Sequence, residues 1–293
     1  MEENTPRLTI IIPAYNEAES LAIFLPKAIA HCQAQNYHLI VTNDGSSDNT
    51  RQIITNFFQN TTFTLIHHKV NKGYGGAIKS GINATETPYL ITIDADGQHR
   101  LEDVDALFQE SQKNDADLLI GSRQHAEKSS PYRQLGKWII RNTAKILLPL
   151  PIYDLNSGMK LYDTKLAKKY LKLCPDSMAF SDTIALVFVS QRHLVLEHPI
   201  KINERMGGTS TISTMTAFET IKQILNIVIL FNPMRVFFPM AVFFIVISLL
   251  WSIRFLLMKR GLSVGAMLGI TTGLIFFFLG LIAEQLSIIR KNL

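Results

Sequence analysis

Short apolar runs alternate with amphipathic stretches from Leu8 to Ser122, and two long uncharged runs follow in the last quarter of the chain. The runs LTIII from Leu8, YHLIVTN from Tyr37, FTLIHH from Phe63, YLITID from Tyr89 and ADLLIGS from Ala116 are rich in β-formers. Helical stretches separate them, at Glu17 to Ala34, Asp48 to Gln59, Gly75 to Ala84 and Leu101 to Asn114. This alternation predicts an α/β domain with a mostly parallel sheet flanked by helices. In such sheets ligands sit at the carboxyl ends of the strands.

Val236 to Ile253 and Leu262 to Ala283 contain no charged residue, and each is about long enough to cross a hydrocarbon core. A core helix of a soluble protein of that length normally keeps a polar side. Two membrane-spanning helices are therefore predicted, with Leu256, Lys259, Arg260 and Gly261 in a short hairpin turn. Arg254 near a span end is expected to snorkel. The expected division is a catalytic domain over 1–211, an amphipathic interfacial helix over 212–232, and the two spans with a short tail over 233–293. Two spans place both chain ends on one side of the membrane. Basic residues do not assign that side, because Arg254, Lys259 and Arg260 nearly match Lys222, Arg235, Arg290 and Lys291. The start, MEENTPRLTI, lacks a basic segment followed by an apolar one and does not read as a signal peptide.

Composition changes this picture little. The formal net charge is +5, but the basic residues are not spread as a groove-binding surface requires. An anionic membrane surface is the expected partner, and nucleic acid is not. Cys32 and Cys174 have no metal-like spacing and read as packing residues in a reducing compartment.

Three polar turns fall at predicted strand ends. In PAYNEAES, Pro13 to Ser20, Asn16 is placed to cap the following helix. In NDGSSDNT, Asn43 to Thr50, Ser46 or Ser47 is a ready cap, whereas Asp44 has no helix end of its own to serve. In ITIDADGQH, Ile91 to His99, two aspartates stand one residue apart. On extended chain Asp94, Asp96 and Gln98 share a face at about 6.6 Å spacing. Carboxylates that close repel unless a cation or a shared proton intervenes, and Mg2+ or Mn2+ with a substrate diphosphate removes the conflict. The competing reading is a solvated turn, since Asp, Gly and Gln are ordinary turn residues. A glycine-rich stretch, NKGYGGAIKSG from Asn71, precedes a helix and could bring amides near a phosphate, though it matches neither standard phosphate fingerprint.

Taken in order, PAYNE, NDGSSDNT, NKGYGGA, DADGQH, GSR, DLNSGMKLYD and ERMGGTS resemble the family 2 inverting glycosyltransferases of GT-A fold, over roughly Leu8 to Ser210. The resemblance is to the branch that includes dolichol-phosphate mannose synthase and bacterial polyprenyl-phosphate glycosyltransferases. It implies a nucleotide pocket lined by Pro13, Tyr15 and Glu17, a base contact from Asp44, and Ala95 at the donor. It implies metal ligation by Asp94, Asp96 and Gln98, with Arg123 near the donor and acceptor phosphates. Asp154 would face the acceptor, Arg205 would close over the diphosphate, and Arg133, Lys137 and Arg141 would meet the lipid phosphate. The catalytic set so implied is Asp96, Asp154 and Arg205. This chain departs from the family where Asn43 replaces a common acid, Lys137 a common serine and Met159 a common aromatic.

Arg133, Lys137, Arg141 and Lys145 recur every fourth residue, with Leu135, Ile139, Ile140, Ile146 and Leu147 largely opposite, as on a basic interfacial helix. Thr214 to Phe231 carries a second stripe, with Glu219, Lys222, Gln223 and Asn226 on one face, before Pro233 redirects the chain. The resulting expectation is a two-span integral membrane enzyme of a prokaryotic plasma membrane, its catalytic domain cytoplasmic. It moves one sugar from a UDP- or GDP-sugar to a polyprenyl phosphate. A hydroxyl acceptor, such as a diacylglycerol or a glycan, is the alternative and would require a base. Trp138 and Trp251 lie outside any QxxRW string, which argues against processive synthesis. The sequence leaves a homo-oligomer open.

Overall fold

The structure is a computed structural model, and it describes residues 5–59, 61, 63–123, 152–155, 157–203, 225, 228–259 and 261–292. These fall into two compact units, one of residues 5–123 and 152–203 and one of the residues from 225 onward.

The first unit is a seven-stranded sheet with flanking helices. Its strands are β1 (Leu8–Ala14), β2 (His38–Asn43), β3 (Thr64–His67), β4 (Tyr89–Thr92), β5 (Leu118–Ser122), β6 (Lys160–Asp163) and β7 (Val195–Pro199). Their spatial order is β3-β2-β1-β4-β6-β5-β7. The first five strands and the helices between them, α1 (Ala18–Gln35), α2 (Thr50–Phe58), α3 (Tyr74–Ala84) and α4 (Leu101–Asn114), lie where the apolar runs predict them. β1 is buried throughout because it lies between β2 and β4 and under helices on both faces, so it reads as an unbroken apolar run. α1 turns Leu21, Phe24, Leu25, Ala28, Ile29 and Cys32 inward at helical spacing, and Cys32 is a packing residue as expected.

β6 and β7 carry no such signal, and neither do α5 (Thr164–Tyr170) and α6 (Phe180–Ser190). β6 is only KLYD, and its apolar character is supplied by tertiary burial. It runs antiparallel to β4 on one side and β5 on the other, with Lys160 opposite both Thr92 and Ile120. The sheet is thus mixed, with one reversed strand in an otherwise parallel order. Chain order reverses between β1 and β4, which makes the carboxyl ends of these strands the expected crevice.

The capping expectations change. Asn16 takes a left-handed φ of 55° and accepts from the Ser47 amide instead of capping α1. Ser46 accepts from the Asn16 amide, and neither Ser46 nor Ser47 caps α2. The two turns hold each other because they leave adjacent parallel strands at the same edge. The glycine-rich stretch also proves to be a packing device. A Cβ on Gly75 would lie 2.5 Å from the Pro175 carbonyl, and one on Gly81 would lie 2.5 Å from Cγ2 of Ile11.

The second unit holds α7 (Met234–Leu257) and α8 (Val264–Asn292). Both run beyond the uncharged spans, so Leu256 is helical and not part of the turn; Lys259 and Gly261 make the turn with positive φ. Only 17% of each span window is buried within the protein, which a soluble core helix could not tolerate. Helix contact runs along small residues: a Cβ on Gly269 would strike Ser248, one on Gly273 would meet Ile245, and one on Gly280 would meet Met234 and Phe237. Ser287 Oγ donates to the Leu230 carbonyl at the far end of the same seam. The basic segment from Arg133 to Lys145 and most of Thr214 to Phe231 lie outside the described residues.

The contact of α3 with β1 yields a test. Gly81→Ala gains about 1 kcal/mol of helix propensity, but crowding the fully buried Ile11 costs about 1–3 kcal/mol. A lowered apparent Tm of the detergent-solubilised protein is expected.

Candidate active site

Four loops meet at the carboxyl ends of β1, β2, β4 and β5. Pro13 is buried as the penultimate residue of β1, Tyr15 projects with 47% exposure, and Glu17 is half-buried, accepting from the Ser20 hydroxyl. Beyond β2, Asp44 is buried and held from three sides. Its Oδ1 accepts from His68 Nδ1 at 2.6 Å and from the Lys72 amide, and its Oδ2 accepts from the Gly73 amide at 2.8 Å. Gly73 is the N-cap of α3, so Asp44 does serve a helix end after all, one it reaches only through the fold. Long-range pairing of this kind has no local sequence signal. His68 passes the contact on to Ser80 Oγ at 2.8 Å.

Asn43, where the resemblance expects an acid, donates its amide to His67 Nδ1 at 3.1 Å and accepts from Ser46. An aspartate could not donate to that ring nitrogen. His67 is correspondingly kept neutral, its pKa lowered by burial and by Arg51.

β4 ends at Thr92, so Asp94, Asp96 and Gln98 are not on extended chain, contrary to the expectation of a shared strand face. Residues 95–97 form a turn with Gly97 at φ 74°, and Asp96 Oδ1 accepts from the Gln98 amide. The turn brings both carboxylates to the crevice regardless. Asp94 Oδ1 accepts from Tyr74 Oη at 3.0 Å, and Tyr74 stays a neutral donor because burial, and then Asp94, push its pKa up. His99 Nδ1 lies 3.9 Å from Asp94 Oδ2 but accepts from the Asp94 amide at 3.1 Å. A nitrogen that accepts carries no proton, so this contact orients the turn and is not an ion pair. Ala95 is buried against the core. Among the described residues no three His, Cys, Asp or Glu groups make an all-protein metal cage.

Beyond β5, Arg123 grips Asp154 with both prongs, Nε to Oδ2 at 2.7 Å and Nη2 to Oδ1 at 2.9 Å, and its amide adds a third bond. Glu197 of β7 accepts from the amides of Tyr153 and Asp154. Burial pushes the Asp154 carboxyl up, but its hydrogen bonds to Arg123 and that residue's charge outweigh burial and hold it below the usual carboxylate range. Gly158, four residues on, lies flush against Asp94: a Cβ there would stand 2.2 Å from Oδ2.

The fold thus brings together Pro13, Tyr15, Glu17, Asp44, Asp94, Ala95, Asp96, Gln98, Arg123 and Asp154. Arg133, Lys137, Arg141 and Arg205 lie outside the described residues. The approach to Arg205 is visible: His99 pairs with Ile202, and the Asn203 amide donates to the Gln98 carbonyl at 2.9 Å. Sequence reasoning missed Tyr74, His68, His99, Gly158 and Lys160. Tyr74, His99, Gly158 and Lys160 stand inside the motifs that carry the resemblance, and only their contacts reveal what they do.

Comparison with known proteins places these features. Residues 9–171 match Glycosyl transferase family 2, and residues 232–289 match the GtrB C-terminal hairpin. Polyprenol monophosphomannose synthase of Mycolicibacterium smegmatis is 30% identical over 220 residues, covering 71% of this chain and 82% of that protein. Dolichyl-phosphate beta-glucosyltransferase of Dictyostelium discoideum is 29% identical over 181 residues, and the match spans about half of each chain, 55%. Among solved structures, glucosyl-3-phosphoglycerate synthase from Mycobacterium tuberculosis, in complex with Mn2+, UDP-glucose and phosphoglyceric acid, superposes with a TM-score of 0.60 at 14% identity. That match covers 77% of this chain and 80% of the synthase. A sheet of this order, an acidic turn after its fourth strand and a matched catalytic segment followed by a matched hairpin have one reading: the chain belongs to glycosyl transferase family 2.

Proposed function

We propose that the protein transfers one sugar from a nucleotide diphosphosugar to a polyprenyl phosphate, with inversion, at the cytoplasmic face of a prokaryotic plasma membrane. The observation that carries this reading is a crevice combining Asp94, Asp96 and the Arg123–Asp154 pair on a chain that also ends in two mostly exposed apolar helices. The catalytic region is taken as 1–211, followed by an interfacial helix over 212–232 and the span region over 233–293. The polyprenol and dolichyl relatives support the acceptor class, and the hairpin match supports membrane association.

The residues fit a divalent cation held jointly with a diphosphate. Asp94, Asp96 and Gln98 stand together in one turn, and the missing side chain at Gly158 leaves room for the Asp94 carboxylate to pack there. Mg2+ and Mn2+ are bound by one or two carboxylates plus substrate phosphates, so no third acidic ligand is required. When bound, such an ion supplies positive charge to the departing nucleoside diphosphate. Arg205 is assigned the same task, two residues beyond Asn203, whose amide is pinned to the Gln98 carbonyl. Tyr74 holds Asp94 in place, and Pro13, Tyr15, Glu17 and Asp44 are assigned to the nucleoside, with Ala95 beneath the diphosphate.

Asp154 is a poor general base, because it is ionised, half-buried and already committed to Arg123. A phosphate monoester acceptor is itself anionic near neutral pH and does not call for a strong base, which favours it over a hydroxyl acceptor. Asp154 instead presents Arg123, with Arg133, Lys137 and Arg141 assigned to the lipid phosphate.

The reading is tested by offering labelled UDP- and GDP-sugars to the purified protein with polyprenyl phosphate or diacylglycerol, with and without Mn2+. Labelled polyprenyl-phosphate sugar is expected; product with diacylglycerol alone would overturn the acceptor. Asp96→Ala should abolish metal-dependent turnover, and full activity in EDTA would sink the metal assignment. Gly158→Ala drives a Cβ onto Asp94, so calorimetry with UDP and Mn2+ should show weakened binding in a folded protein. For the Arg123 pair the sign is set by the depressed carboxyl of Asp154: its stabilisation is complete above the unfolded pKa and is lost as pH falls through the folded one. Below about pH 4, melting of the wild type should therefore fall more steeply than that of Asp154→Asn.

A further inference from the structure

Lys160 is fully buried in β6, the strand between β4 and β5. Lysine is almost never fully buried unless its charge is answered. Here the ammonium donates to the Leu155 carbonyl at 2.8 Å, to the Ser157 carbonyl at 2.5 Å and to Ser181 Oγ. Ser181 in turn donates its own proton to the Ser157 carbonyl at 2.8 Å. Three donors meet three acceptors, so the group is saturated only when protonated.

Two of those acceptors belong to the 154–158 loop, and the third stands at the start of α6. Asp154 begins the loop and holds Arg123; Gly158 ends it and packs on Asp94, while its carbonyl accepts from Thr92 Oγ1 at 2.8 Å. No other side chain reaches the Leu155 carbonyl in the described hydrogen bonds.

We propose that Lys160 is a positioning residue for sugar transfer: by gathering the Leu155 and Ser157 carbonyls it sets Asp154 against Arg123 and Gly158 against Asp94. The assignment rests on the function proposed above. The charged groups around the ammonium are Asp182 of α6, Asp154, Asp94 and Arg123. Burial lowers the Lys160 pKa to about 8, the three carboxylates favour its charge in that order, and Arg123 opposes it. The loop is therefore held below that pH and slackens above it, when the amine has one donor fewer than its three acceptors.

The test uses the full-length protein in detergent, with Lys160→Met and Ser181→Ala, following transfer against pH and amide exchange over residues 153–159. Lys160→Met is expected to lower kcat by roughly 100-fold, the size of effect that misplacement by about 1 Å produces. Ser181→Ala removes a bond to the charged form, so its alkaline limb should move to lower pH. Wild-type kcat in Lys160→Met overturns the proposal, and so does an unmoved limb in Ser181→Ala, which decides the matter if the first variant does not fold. A wild-type protein that glycosylates no polyprenyl phosphate would overturn the proposed function instead. Exchange then decides for Lys160: faster exchange over 153–159 in Ser181→Ala supports it, and unchanged protection overturns it.

Discussion

The site depends on one reversed strand. Because β6 runs antiparallel between β4 and β5, it begins where its neighbours end, with Lys160 opposite Thr92 and Ile120. The residues just before it must therefore lie across the carboxyl edge of the sheet. That is why Asp154 meets Arg123, the residue after β5, and why Gly158 meets Asp94, two residues after β4. A parallel strand in the same position would have delivered its start to the opposite edge. The functional loops would then have lacked both the arginine clamp and the glycine beside Asp94.

Gathering carboxylates at one edge creates repulsion, and the fold answers each of them separately. Asp44 is placed at the N-terminus of α3, where backbone amides and the helix dipole favour an anion by typically 0.3–1 kcal/mol, and more when partly buried. Asp94 is held by a neutral tyrosine, Asp96 by its own turn and Asp154 by a bidentate arginine. The glycine-rich stretch, whose sequence matched neither standard phosphate fingerprint, is the place where α3 closes on the Pro175–Phe180 segment, and its helix end is filled by Asp44.

The second unit follows different physics. Its two helices expose Phe243, Leu250, Trp251, Leu268 and Phe278, among other large apolar residues. At roughly 25 cal/mol per Å2, leaving such area in water is prohibitive, so lipid is its natural solvent. Apolar burial cannot by itself drive two helices together in lipid, and their contact accordingly runs through Gly269, Gly273, Gly280 and buried serines.

Wherever burial shows as periodicity, the sequence alone was sufficient. Five strands, four intervening helices and both spans were legible because each buries a continuous apolar run or stripe, and a uniformly apolar helix has no stable place in water. The acidic turn was legible as residue types at a strand end, and the arginine of GSR through the family resemblance. What only tertiary structure decided are the contacts between segments far apart in the chain. KLYD becomes a central strand because its neighbours bury it, Asp44 accepts from the N-cap amide of a helix 29 residues away, and Lys160 keeps its charge because three acceptors and three carboxylates answer it. Periodicity records which face of an element is dry, whereas a hydrogen bond across 20 or more residues leaves no periodic trace.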